Sequence, residues 1–89
     1  MRAVITVLGT DRVGIIAGVS TTLAEANVNI LDITQTIMQD IFTMIMVVNT
    51  GTANISLEEL DRRLKAKGEA LGLQIRLQRE DIFNSMHRI

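Results

Sequence analysis

The order in which two hydrophobic periods follow one another constrains this chain most. Residues Arg2 to Leu8 are β-branched and apolar on both alternating faces, with Ala3, Ile5 and Val7 against Val4, Thr6 and Leu8. A strand of that kind belongs in the middle of a sheet. From Arg12 to Ala26 the period changes: Ile16, Val19, Leu23 and Ala26 recur at three- and four-residue steps, which marks an amphipathic helix, and Asn27 can take the left-handed conformation that ends one. Val28 to Met38 returns to alternation, with Leu31, Ile33 and Ile37 on one face and Asp32, Thr34 and Thr36 on the other, so one face is expected to be core. Gln39-Asp40 breaks the pattern at hairpin length, although without the glycine that a mirror-type turn prefers. Ile41 to Val48 is apolar on both faces and reads as an interior strand.

A second helix follows the polar loop Asn49 to Asn54. Ser56 and Glu59 have capping-box spacing, Leu57, Leu60, Leu64 and Leu71 form a stripe, and Gly72 closes the helix. Leu73, Ile75 and Leu77 then alternate with Gln74, Arg76 and Gln78 as a last strand. The tail from Glu80 to Ile89 reads as a short helix capped by Asp81, with Ile82, Phe83, Met86 and Ile89 on one side, covering either its own sheet or a second subunit. Strand, helix, strand, strand, helix, strand predicts an α+β, ferredoxin-like βαββαβ sandwich. A right-handed crossover leaves room for the third strand, so the expected antiparallel order is 2-3-1-4, with both helices on one face. The second strand then lies on an edge, which a homodimer would cover by continuing the sheet. At 89 residues this is one domain, a 1–79 core with an 80–89 tail.

Composition narrows the function. The net charge of −1, with acids and bases interspersed, gives no field to draw in nucleic acid or an anionic membrane. The absence of cysteine leaves no disulfide, thiol nucleophile or thiolate metal site, and suits a reducing cytoplasm. No apolar run approaches the ~20 residues that span a bilayer. His87 is the lone histidine and sits in the tail. No carboxylate pair, Ser-His relation or metal-ligand spacing accompanies it, so no catalytic residue, metal or cofactor is expected, and Asp32 reads as solvated.

The stretch that can carry chemistry is Leu8-Gly9-Thr10-Asp11-Arg12-Val13-Gly14-Ile15, between the first strand and the first helix. Asp11 reads as the helix N-cap, accepting from the amide of Val13 or Gly14. Glycine in a first helical turn lowers helix propensity by roughly 1 kcal/mol, so Gly14 suggests close approach to the backbone. Free amides at a positive helix end without a Cβ would hold a small anion. Equally, Asp11 caps and Gly14 relieves packing, with no ligand at all. No G-x-G-x-x-G or Gly-Lys-Ser points to nucleotide phosphates.

The run Val4-Ile5-Thr6-Val7-Leu8-Gly9-Thr10-Asp11-Arg12-Val13-Gly14-Ile15-Ile16-Ala17, with Ala26-Asn27-Val28-Asn29-Ile30 after it, resembles the ACT domain family: a strand, a D/N-R-x-G-[IVL] loop, a helix and a V-N-I start to strand two. The resemblance extends over essentially the whole chain, and the tail is similar to that of short stand-alone ACT proteins, themselves similar to the ACT units of the glycine cleavage system transcriptional repressor. It implies a regulatory module that binds a small ligand, typically an amino acid, at a homodimer interface. The family's ligand contacts fall on Asp11, Arg12, Val13, Gly14, Ile15 and Asn29, with Ile30 lining the pocket. Amides near Gly14 would take an α-carboxylate, and Asp11 with Asn29 of a neighbouring subunit would accept from an α-ammonium. Serine-binding members carry a histidine two residues before the loop's D/N, where this chain has Gly9. A sensor of this kind would act in trans on a protein target, without binding nucleic acid or membrane. The competing reading is a ligand-free, dimeric adaptor that docks through its sheet or tail.

Overall fold

A computed structural model describes residues 1–81. Strand β1 (Arg2–Thr10) leads to helix α1 (Ile15–Glu25), then strands β2 (Asn29–Met38) and β3 (Ile41–Asn49), helix α2 (Leu57–Leu71) and strand β4 (Leu73–Arg79). The sheet order is β2-β3-β1-β4, antiparallel throughout. The sheet core is Ala3, Ile5 and Val7 of β1 with Phe42, Met44, Met46 and Val48 of β3. Ile15, Val19 and Leu23 of α1 and Leu60 and Leu64 of α2 close over that one face. The expected fold, strand order and helix placement are therefore those observed. The expectations for Ile82, Phe83, Met86, His87 and Ile89 lie outside the described residues.

Helix α1 departs from expectation at its start. It begins at Ile15 with Gly14 as N-cap at φ 96°, and Asp11 caps nothing. The N–H of Asp11 donates to the carbonyl of Asp40 at 2.7 Å, which ties Asp11 to the neighbouring hairpin as an extension of the sheet and holds it short of the helix. Of the expected stripe, Val19, Leu23 and Ala26 are buried, but its first member is Ile15, with Thr22 also buried, while Ile16 is 41% exposed. Thr22 satisfies its hydroxyl on the carbonyl of Gly18 at 3.0 Å. The helix ends as expected. Asn27 sits at φ 58°, and the N–H groups of Asn27 and Val28 return to the carbonyls of Ala24 and Leu23, both at 3.0 Å.

Strand β2 corrects a second expectation. Its apolar face is not core: Ile33 and Ile37 are 42% and 55% exposed, and only Ile30 packs against the buried cluster. The helices cover the inner strands and stop short of this outermost one. A bulge at Leu31, where Ile30 pairs with Val48 and Asp32 with Val47, further turns the strand's first residues. The Gln39-Asp40 connection is a mirror-type turn with both angles positive, at φ 48° and 70°. Non-glycine residues in that conformation cost about 1–2 kcal/mol each. The double substitution Gln39→Asn with Asp40→Gly is therefore expected to stabilise the fold by about 1–2 kcal/mol, raising Tm in calorimetry by roughly 4–16 °C. An unchanged Tm would contradict the turn assignment.

At α2 the Ser56 hydroxyl accepts from the N–H of Glu59 at 3.1 Å, as expected, but the reciprocal half of the capping box is missing. The Glu59 carboxylate turns instead to Arg62 and Arg63, one turn on along the same face, because two guanidiniums outcompete a single amide. The hydrogen bond from Arg62 is the leading cause that draws the Glu59 carboxyl down to about 2, against burial that opposes it. A lowered folded-state value stabilises above the unfolded value and is lost on acidification. Glu59→Gln should therefore remove part of the parent's loss of Tm between pH 4.5 and pH 2, and an unchanged acid profile would count against the pairing. Gly72 ends the helix at φ 70°.

Candidate ligand site at the first loop

Asp11 to Ile15 cluster where β1 gives way to α1. Asp11 and Arg12 are exposed, Val13 is 96% exposed, and Ile15 is core, so it offers only backbone to a ligand. Gly14 supplies no side chain to cap α1, and the first-turn amides of Ile15, Ile16 and Ala17 have no carbonyl one turn earlier within the helix. A Cβ built on Gly14 meets nothing within 4 Å, so it is the positive φ, not close packing, that requires glycine here. Arg12 donates through one guanidinium nitrogen to the carbonyl of Leu71 at 3.3 Å, bracing the loop on the end of α2 while its other donors stay available.

Asn29 and Ile30 are not part of this cluster within one chain. Asn29 pairs with Asn49, which pairs with Arg2 at one end of the sheet. Thr10 pairs with Ile41, which pairs with Met38 at the other. Eight residue steps separate the ends of β1, about 27 Å at about 3.4 Å per residue. The structure instead sets Gln39 and Asp40 beside the loop, through the bond from Asp11 to Asp40. Sequence reasoning passed over both residues. The signal was present, since a two-residue hairpin after an edge strand must fall at the end of the sheet where β1 finishes. Two concavities lie elsewhere: one of about 750 Å³ follows β4 past Lys65 and Arg76, and one of about 280 Å³ lies between Met1, Gly51 and Leu57. Among the described residues no group of three or more His, Cys, Asp or Glu is placed to hold a metal ion, and no helix is long and apolar enough to cross a membrane.

This strand order and loop are those of a regulatory, ligand-binding class of small domains. The chain belongs to the ACT domain family, which is matched over residues 2–78. It is 54% identical to a UPF0237 protein of Clostridium acetobutylicum, over the full length of both chains. Among solved structures it is similar to an ACT domain protein from Streptococcus pneumoniae, at 41% identity and TM-score 0.81, covering 93% of each chain. A putative glycine cleavage system transcriptional repressor matches at 27% identity and TM-score 0.76, over 86% of this chain and 44% of that one.

Proposed function

We propose that the chain is a cytoplasmic sensor, one ACT unit with a core of residues 1–79 and a tail of 80–89, that binds a free amino acid between two copies of itself and acts in trans on a separate enzyme or regulator. One observation carries the reading: the two halves of the family's ligand site lie at opposite ends of the sheet, Asn29 and Ile30 at the start of the edge strand β2 and the Asp11–Ile15 loop beside the turn that ends it. Two such edges running antiparallel about a two-fold axis would bring Asn29 and Ile30 of each chain to the Asp11–Ile15 loop of the other. The α-carboxylate then meets the first-turn amides of α1, with a free guanidinium donor of Arg12 in reach. The α-ammonium is shared by the Asp11 carboxylate and the Asn29 side-chain oxygen of the partner subunit, and Val13 and Ile30 flank the ligand's side chain. No catalytic role is assigned to any residue.

A second reading, a ligand-free adaptor, is favoured by a different observation. Leu8, Ile41, Ile45 and Met38 are exposed on the sheet face away from the helices. A calorimetric melting scan against the twenty amino acids separates the two. Ligand at ~100 times its dissociation constant stabilises by about 2.7 kcal/mol, which raises Tm by roughly 10–20 °C in a domain of this size. A selective rise is the sensor's signature, and no rise with any amino acid leaves the adaptor.

A further inference from the structure

The sheet face away from the helices is not evenly bare. Alternation from the buried Ala3, Ile5 and Val7 puts Val4, Thr6 and Leu8 of β1 on that face, with Val4 between Val47 of β3 and Gln78 of β4. Leu8 is 46% exposed and Ile45, opposite Thr6, is 39% exposed, as an uncovered face requires. Val4 is only 3% exposed, yet it lies outside the core cluster, and both Val47 and Gln78 are half-buried. The helices pack on the other face, and side chains flanking Val4 stand parallel to it without roofing it. The covered end is the one where β4 runs out, since Arg79 pairs with Ala3. There Arg2, on the same face as Val4, holds the Glu80 carboxylate at 3.0 Å, which draws the chain leaving β4 toward that face. The backbone is helical at Glu80 and Asp81, so Asp81 sits inside the first turn and not at its cap.

We infer that residues 82–89 are a lid laid by their own chain across this end of the face, with Ile82, Phe83 and Met86 turned down onto Val4 and Val47. Helical spacing sets Ile82, Phe83, Met86 and Ile89 on one side, and a helix this short is marginal in water without a surface to cover. The ten residues from Glu80 to Ile89 make a helix of about 15 Å. Strands lie about 4.8 Å apart, so β3 is about 10 Å from β4 across β1. The segment is therefore long enough to run across the strands from Gln78 over Val4 to Val47. Laid that way it leaves the far end of the face uncovered, where Leu8, Ile41 and Met38 are exposed. A docking protein would find only that far end free. The inference uses one chain and rests on neither reading of the function.

Because the chain has no cysteine, a single introduced thiol reads the lid directly through its access to reagent. Val4→Cys lies under the lid, Thr43→Cys lies on the bare end of the same face opposite Leu8, and Met44→Cys lies in the core as a gauge of folding. Each is made in the full chain, in a chain ending at Asp81, and in a full chain carrying Ile82→Ser and Phe83→Ser. The rate of reaction with dithiobis(nitrobenzoate) is then measured. Loss of the lid is expected to speed Val4→Cys at least ten-fold, with Thr43→Cys changed less than two-fold and Met44→Cys still slow. Should shortening unfold the chain, Met44→Cys reports it and the serine pair decides. An unchanged rate at Val4→Cys in both altered chains would overturn the inference. So would protection regained when the shortened Val4→Cys chain exchanges with excess full-length parent, because the lid would then come from the second copy.

Discussion

Gly14→Val is expected to abolish the amino-acid-induced rise in Tm while the two-chain assembly persists. The reason lies in the backbone. Gly14 holds φ 96° as the N-cap of α1, and a Cβ there meets open space, so valine would not clash but would be held in a conformation that β-branched residues scarcely adopt. Strain of this kind is of order 1–3 kcal/mol, a fall in Tm of roughly 5–20 °C. The loop relieves it by turning Gly14 back to negative φ, which re-aims the amides of Ile15 and Ile16 away from the ligand's carboxylate. Gly14→Ala carries the same sign with a smaller loss. Because the change leaves every residue of the β2 edge in place and an added Cβ meets nothing within 4 Å, sedimentation or light scattering should still report the parent's assembly. A Gly14→Val chain with the parent's full ligand response would remove the first-turn amides from the site.

Gly68→Val should have the largest effect on stability alone. Gly68 lies on the buried side of α2, in line with Leu60 and Leu64, and a Cβ there would stand 2.8 Å from the carbonyl oxygen of Leu73 and 3.2 Å from Ile75 Cγ1. The first of these neighbours is backbone, so α2 must lift from β4. Overpacking of that kind costs about 3 kcal/mol, and the helix-propensity gain of under ~1 kcal/mol does not offset it. Against a total of about 5–13 kcal/mol for a domain this size, the expected fall in Tm is roughly 10–20 °C. Gly18 is the matched control. Its added Cβ would meet the ends of the Leu71 and Lys67 side chains, which can move, and Gly18→Ala should melt close to the parent. Equal melting of Gly68→Val and the parent would contradict the close approach of helix and strand.

Much of the fold was legible in the residues, because the periods of the apolar positions mark out the strands and helices in order. β1 and β3 are apolar on both faces and are the two central strands, and Gly72 and Asn27 end their helices in the left-handed conformation. What escaped the sequence was set by tertiary contacts. Asp11 looks like a cap until its N–H is given to Asp40, and Ile16 looks buried until its neighbour Ile15 is found in the core instead. Leu31, Ile33 and Ile37 have a core strand's alternation, yet whether a helix reaches an edge strand is not written in the strand. Glu59 has the spacing of a capping box, but Arg62 and Arg63 compete for it from the same face. The candidate site was legible through its resemblance to a family motif. Its division between the two ends of the sheet became visible only with the strand register.

A site shared between two chains can be tested by complementation. A Gly14→Val chain and an Asn29→Ala chain each lack one half of the site, so neither alone should respond to the amino acid that most raises the parent's Tm. Mixed and allowed to exchange, they form hybrids in which one site joins an intact loop to an intact Asn29 and the other joins the two damaged halves. Isothermal titration of the mixture is expected to recover binding at the parent's affinity, with one ligand per hybrid. Recovery would place each ligand across two chains. A mixture as silent as its components would contradict the account and put the site, if there is one, within a single chain.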